Sequence, residues 1–203
     1  MLEQEGVRLR LLRYGDRAAW ERVRRENLEW LRPWEATSPV PAPPVGFRDY
    51  VAQSRRQGRR GEALTFVVES DGELVGQLSV SSIILGALRG ASIGYWVSQH
   101  VAGRGITPTA VAIAVDYCFT VLRLHRIEIN IRPENTASLR VVEKLGFRDE
   151  GLRERYLHID GDWRDHRTFA LVAEEVREGL LERWTRTRGR HAADDPDGGA
   201  PPG

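Results

Sequence analysis

The chain has 203 residues and a formal net charge of +1, with 41% apolar and 29% charged residues. That length supports one domain with a sizeable core, and the near-zero charge argues against a dedicated nucleic-acid binder, which would carry a strong basic bias. No stretch approaches the 18 or so uninterrupted apolar residues of a membrane span, and MLEQEGVRLR lacks a basic-then-apolar signal pattern, so a cytoplasmic protein is expected.

Residues 7–13 alternate apolar and basic side chains, Val7, Leu9 and Leu11 against Arg8 and Arg10, which predicts a half-buried strand. A helix is expected from Asp16, a candidate N-cap, to about residue 31. Residues 32–46 hold Pro33, Pro39, Pro41, Pro43 and Pro44 and can form neither a regular helix nor a central strand. A short helix follows over 47–59. Strands at 64–70 and 74–85 flank the hairpin signal Asp71-Gly72, and a third strand over 91–98 completes an antiparallel meander. The pattern then changes to a long apolar helix over 108–122, a strand over 126–132 and a helix over 136–145. Two strands, 151–159 and 163–172, and a helix over 174–184 end the ordered part. The expected fold is α/β (α+β): a central mixed, mostly antiparallel sheet of about six to seven strands flanked by helices. It forms one domain over residues 1–185, and the composition of AADDPDGGAPPG makes 186–203 a disordered tail.

Cys118 is the single cysteine, so no internal disulfide is possible, and its apolar run AVAIAVDYCFTVL reads as a buried thiol. The five histidines, His100, His125, His158, His166 and His191, show no ligand spacing, and no metal is expected. A single lysine, Lys144, stands against 29 arginines.

Two segments carry chemistry. Residues 95–122 read as strand YWVS, loop QHVAGRGI and helix TPTAVAIAVDYCFTVL. Glycines before a helix N-terminus let a phosphate approach unpaired backbone N–H groups at the positive end of the helix dipole. Gly103 and Gly105 suit that role, with Thr107 as the candidate cap and Pro108 in the first turn. The same residues are also compatible with an ordinary strand-to-helix turn. The second segment, IRPENTASLRVVEKLGF (131–147), puts Asn135 and Ser138 three apart at a helix start, where both can bond to a ligand or where Asn135 simply caps the helix.

Taken together, the order strand, G-x-G loop, helix, strand, then N-x-x-S-x-x-x-x-E-K-L-G-F resembles the GNAT superfamily of N-acetyltransferases. IGYWV, LRPWE at 31–35, RPENTASLRVVEKLGF and GDWRDHRTFAL are similar to its ribosomal-protein alanine N-acetyltransferase (RimJ/RimL-type) branch, over about residues 7–175. The resemblance implies acetyl-CoA as co-substrate. The strand through Trp96, Val97 and Ser98 would splay from its neighbour to bind pantetheine, and the N–H near Val97 would stabilise the thioester oxyanion. The amides of Gly103, Arg104, Gly105, Ile106 and Thr107 would hold the pyrophosphate, Asn135 the pantetheine arm, and Ser138 would sit near the sulfur. Lys144 fits the motif lysine, beside a coenzyme phosphate or simply at the helix C-terminus. Two positions depart from the family pattern. His100 stands where Gln or Arg usually opens the loop. Val142 stands where many members carry a general-acid tyrosine, a role that falls to Ser138 in this branch.

No activated cysteine or Ser–His–Asp constellation is visible, so direct attack by the amine in a ternary complex is expected, with positioning and oxyanion stabilisation as the main tasks. Glu35 and His158 are the candidate general bases. An α-amine acceptor, such as the N-terminus of a ribosomal or other protein, needs less help from a base than a lysine does. A small-molecule amine acetyltransferase and a non-enzymatic acetyl-CoA sensor are the alternatives. No nucleic-acid or membrane partner is expected, and the chain is read as a monomer or homodimer.

Overall fold

In the computed structural model, which describes residues 2–40 and 43–194, the chain opens with a hairpin of β1 (Leu2–Gln4) and β2 (Val7–Leu11). The turn at Glu5-Gly6 takes φ of 50° and 73°. Helices α1 (Arg17–Glu26), α2 (Leu28–Leu31) and α3 (Phe47–Arg60) precede β3 (Leu64–Ser70), β4 (Glu73–Ile84) and β5 (Gly90–Val97). Then come α4 (Ile106–Thr120), β6 (Arg126–Ile131), α5 (Thr136–Leu145), β7 (Arg148–Ile159), β8 (Asp162–Val172) and α6 (Leu180–Asp194). The strands form one eight-stranded sheet in the order β1-β2-β3-β4-β5-β6-β8-β7. Only β5 and β6 pair in parallel; every other pair is antiparallel. The mixed, mostly antiparallel architecture is as expected. The eighth strand is β1, whose three residues are too short to show an alternating pattern.

Helix α4 explains how the layers form. Its run ITPTAVAIAVDYCFT is apolar on nearly every side, and such a helix must be covered all round. It lies against the sheet with α5 and α6 beside it, and Val111, Ala112, Ala114, Val115 and Cys118 have no exposed surface. On the opposite face α1 and α3 cover Leu12, Val67 and Leu74 with Val23, Phe47 and Val51.

Three expectations are corrected. The helix expected over 16–31 is broken at Asn27, and Asp16 does not cap it. The Asp16 carboxylate turns back to accept the Arg13 N–H (2.7 Å) and to pair with Arg10 (2.8 Å). The last helix does not stop at 184 but runs to Asp194, through nine residues expected to be disordered. Tertiary anchors hold it. Asp116 on α4 accepts the Leu180 and Leu181 N–H groups (2.7 and 3.0 Å), Trp184 is buried with its Nε1–H on Thr109 Oγ1 (2.9 Å), and Arg188 pairs with Glu5 (3.0 Å). Residues 195–203 of the expected tail lie outside the described residues, as do residues 41–42 of the proline-rich excursion. The described part of that excursion forms a 3-10 turn at Arg32–Trp34, and Ala36 then bridges Ile159.

Gly76 on β4 faces Val97 of β5, and a Cβ at Gly76 would run into the Trp96 carbonyl oxygen. The Trp96 oxygen is backbone and lies less than 3.0 Å from that position, so the strand itself would have to shift. Gly76→Ala is expected to destabilise the fold by roughly 1–3 kcal/mol, seen as a lower Tm. An unchanged Tm would show that β5 can move away freely.

Candidate functional site

The site begins where β5 leaves β6. The two strands pair only at Gly90–Arg126, Ala91–Ile127 and Ser92–Glu128, whereas β5 stays paired to β4 through Val97. The Ser98 N–H donates to the Val75 carbonyl at 2.7 Å. Bonded and non-bonded pairs alternate along an antiparallel ladder, so the backbone of Val97, and of Tyr95 two residues earlier, points away from β4 into the gap. The Val97 carbonyl accepts from Trp30 Nε1 at 3.1 Å, which leaves the Val97 N–H to the gap. An extended chain of amides can add to such an edge as a strand would.

At the wide end of the gap lies the glycine loop. Gly103 and Gly105 take φ of +82° and +83°, a region that side-chain-bearing residues rarely occupy. The Arg104 N–H turns back to the Val101 carbonyl (3.5 Å). Gly105, not Thr107, is the N-cap of α4: the first helical bond runs from the Thr109 N–H to the Gly105 carbonyl (3.1 Å), which also accepts Thr109 Oγ1–H (2.9 Å). Thr107 is the second helical residue. Because Pro108 has no N–H, Ile106 and Thr107 supply the unpaired donors of this helix end. The Arg104 side chain is exposed at a cavity of about 440 Å³ behind the loop, shared with His100, Glu5, Asp71, Glu73 and Arg188.

The loop entry is held by a residue that the sequence does not mark. Asn27, at the break between α1 and α2, is buried. Its Nδ2 donates to the Val23 carbonyl (2.8 Å) and to Ser98 Oγ (3.0 Å), and its Oδ1 accepts the Gln99 N–H (2.8 Å). The Ser98 side chain, fully buried, is thereby committed to holding the loop. Trp96 points to the opposite face, where Arg24 lies 5.5 Å from its ring.

Because β5 and β6 run parallel, α5 begins at the same end of the sheet as α4. Asn135 caps α5, its Oδ1 accepting the Ser138 N–H at 3.0 Å. Val142, one turn beyond Ser138, is buried and offers no hydroxyl. Lys144 is exposed in the last turn of α5, about 13 Å along the helix from Asn135 at 1.5 Å per residue; the fold does not bring it to the other residues of the gap.

A second opening, of about 180 Å³, lies on the α1 side of β5, lined by Arg24, Trp34, Glu35, Gln77, Tyr95 and Trp96 among others. Glu35 is ion-paired with Arg24 there. The Ala36–Ile159 bridge brings His158 to the same corner, where its Nδ1 bonds Thr37 Oγ1 (2.7 Å). Cys118 takes no part: burial pushes its thiol up to about 12, and a thiol is a poor nucleophile there. No group of three or more His, Cys, Asp or Glu side chains that could hold a metal ion occurs among the described residues.

Asn27→Ala removes three buried hydrogen bonds and strands the Ser98 hydroxyl, which is expected to cost about 1–3 kcal/mol in urea unfolding. Adding Ser98→Ala removes the stranded partner and should recover part of that loss. Strictly additive losses would mean that the two side chains are not coupled.

The family described as Acetyltransferase (GNAT) domain matches residues 7–148. A Bacillus subtilis (strain 168) protein named "Probable N-acetyltransferase YjcK" is 45% identical over 129 residues, 63% of this chain and 71% of that one. The Escherichia coli (strain K12) [Ribosomal protein uS5]-alanine N-acetyltransferase is 30% identical over 169 residues, 81% and 87% of the two chains. The solved structure of Mycobacterium smegmatis RimJ in complex with CoA-disulfide superposes with a TM-score of 0.85 at 43% identity, covering 91% of this chain and 90% of that one. With likeness in sequence and fold extending over most of its length, the chain belongs to the GNAT family and is an acetyl-CoA-dependent N-acetyltransferase.

Proposed function

We propose that the acceptor is the N-terminal α-amine of a protein, attacked directly in a ternary complex with acetyl-CoA. The observation that carries this reading is the acceptor corner: its carboxylate, Glu35, is already neutralised by Arg24. A polyamine or aminoglycoside, with several positive charges, needs a deep acidic pocket. A peptide N-terminus brings one ammonium and a length of neutral backbone, which suits a small, open and charge-balanced corner. The names of the Escherichia coli and Mycobacterium smegmatis relatives, a ribosomal protein alanine acetyltransferase and RimJ, support a ribosomal protein as that acceptor.

The roles proposed for the site follow from the donors it presents. The N–H groups of Gly103, Gly105, Ile106 and Thr107 hold the pyrophosphate, with Arg104 beside them. The edge through Trp96 and Val97 takes the pantetheine arm, with Asn135 across the gap and Ser138 near the sulfur. The Val97 N–H stabilises the oxyanion that develops on the thioester carbonyl. The amine nitrogen bonds to the carbonyl carbon, the C–S bond breaks and the amine proton leaves to solvent or to Glu35 or His158. An α-amine with a pKa near 7.8 is partly neutral at pH 7, whereas a lysine near 10.4 is about 3.5 kcal/mol further from its reactive form. A site whose carboxylate is ion-paired is matched to the easier amine.

Acetyl-CoA at a hundredfold excess over its Kd is expected to stabilise the fold by about 2.7 kcal/mol, read as a rise in Tm. Gly103→Val and Gly105→Val should remain folded and lose that rise, because a β-branched residue resists φ near +80° and covers the N–H groups. Tight coenzyme binding by both variants would reduce the loop to a turn.

The acceptor is tested by mass spectrometry on a panel of N-terminal peptides, lysine peptides and spermidine. The peptide α-amine should be the acetylated group. Below the acceptor pKa of about 7.8, kcat/KM should rise about tenfold per pH unit and then level off. A rise continuing past pH 9, or a preference for spermidine, would overturn the α-amine reading.

A further inference from the structure

Trp163 belongs to the stretch GDWRDHRTFAL, to which the roles above give no part, and it is the one tryptophan left exposed among the described residues, at 50%. A large aromatic side chain kept at the surface is a common anchor for a bound chain. Its place in the fold says which chain. Ile131, the last residue of β6, pairs with Arg167, so residues 163–166 of β8 run on past β6 at the end where the β5–β6 gap opens. His158 and Trp163 are directly opposed across the β7–β8 hairpin and share one face of it. Their rings meet edge to face, 5.7 Å apart at 81°.

The outer edge of β7 carries a further short extended segment. Ala36 bridges Ile159, the Thr37 N–H donates to the His158 carbonyl (2.9 Å), and the Thr37 hydroxyl bonds His158 Nδ1 (2.7 Å). The segment is held at its start by Arg132, whose guanidinium donates to the Pro33 carbonyl (2.7 Å). Thr37, His158 and Trp163 thus form a cross-strand row. Glu35 precedes Thr37 by two residues in extended backbone, φ −86° and ψ 125°, so alternation points it to the same side. The row therefore runs from the Arg24–Glu35 pair of the acceptor corner to the exposed indole. Two residues of about 3.3 Å along the chain and two strand spacings of about 4.8 Å across it put Trp163 roughly 12 Å from Glu35. An acceptor with its α-amine at Glu35 covers that distance in about three to four residues of extended chain.

We propose that Trp163 is a specificity-determining residue: it stacks the side chain of the third or fourth residue of the acceptor and selects a basic one. The proposal rests on the α-amine reading given above. The chemistry of the hairpin tip sets the preference. An indole is the best aromatic partner for a cation, and an arginine guanidinium can lie flat on it. Asp160 and Asp162 flank the turn beside Trp163, both exposed, with Asp162 also 3.4 Å from Arg164. Carboxylates at that spot attract a guanidinium or ammonium and repel a glutamate. The acceptor corner itself is small, about 180 Å³, and its carboxylate is neutralised by Arg24. Selection among N-termini therefore falls to the surface beyond it.

The test uses the full chain and six-residue peptide amides that are alanine throughout except at residues three and four, which are both Arg, both Ala or both Glu. Alanyl-alanine amide, which ends short of Trp163, is the reference acceptor. The wild type should acetylate the Arg peptide with a kcat/KM roughly three- to thirtyfold above the Ala peptide, the range of a cation on an aromatic face. The Glu peptide should fall below both, and the differences should lie in KM with kcat little changed. In Trp163→Ala the Arg-to-Ala ratio should drop to about one, and the ratio of Arg peptide to reference acceptor should drop by the same factor. Trp163→Phe should keep part of the preference, and calorimetry with CoA checks that both variants hold the coenzyme. A wild type indifferent to residues three and four overturns the proposal, as does a preference that survives Trp163→Ala. A larger effect from Arg at residues five and six overturns it too. If CoA binds and no peptide α-amine is acetylated, the α-amine reading falls and takes the proposal with it. Acetylated peptides whose ratios ignore Trp163 remove the proposal alone.

Discussion

The site depends on one constraint: β5 must keep its full pairing with β4 while giving up its pairing with β6 after three residues. Unpaired backbone inside a sheet is normally unfavourable, because each buried N–H or C=O without a partner costs as much as a lost hydrogen bond. Here the surroundings hold the strand in place. Gly76 lets β4 approach Val97 and Trp96 without a side chain between them. The Trp30 indole takes up the Val97 carbonyl. Asn27 ties Ser98 and Gln99, the residues that follow the strand, to the end of α1. The edge that remains is narrow, and what it lacks is a chain of amides, the chemistry of a pantetheine arm.

The divergence also places the helix ends. Parallel strands feed their following helices from the same end of the sheet, so the N-termini of α4 and α5 face one opening from two sides. One brings backbone donors at the positive end of an apolar, rigidly buried helix. The other brings Asn135 and Ser138. The long α6 braces this arrangement from behind: Asp116 receives its first N–H groups, Trp184 bonds Thr109 in the first turns of α4, and the Arg188 guanidinium lies beside Gly105. The glycine loop is therefore pinned at its entry by a helix break near the N-terminus and at its exit by the C-terminal helix.

Much of this was legible because it is local. The alternation at Val7–Leu11, the turn residues Asp71-Gly72 and the apolar run of α4 each report a backbone conformation that neighbouring residues enforce. Gly103 and Gly105 stood out for the same reason, and both take positive φ. Thr107 misled as a cap because a cap is defined by where the backbone leaves the helix, and a left-handed Gly105 starts α4 two residues earlier. The start expected for the disordered tail misled because composition carries no record of Arg188 finding a partner 183 residues away. Asn27 looked like one more helical residue, since its partner Ser98 lies 71 residues on.

The sequence alone determined the class of fold, the order of elements and the family, because hydrophobic period, turn chemistry and the N-x-x-S-x-x-x-x-E-K-L-G-F motif are properties of short segments. It also brought forward the glycine loop as suited to a phosphate, and Asn135 and Ser138 as residue types able to bond a ligand at a helix start. Only the tertiary structure decided that β5 and β6 separate after Ser92, that Glu35 is paired with Arg24 and that Asn27 reaches Ser98 and Gln99. Each of these depends on contacts between segments far apart in the chain, and a long-range contact leaves no period or spacing in the residues that make it.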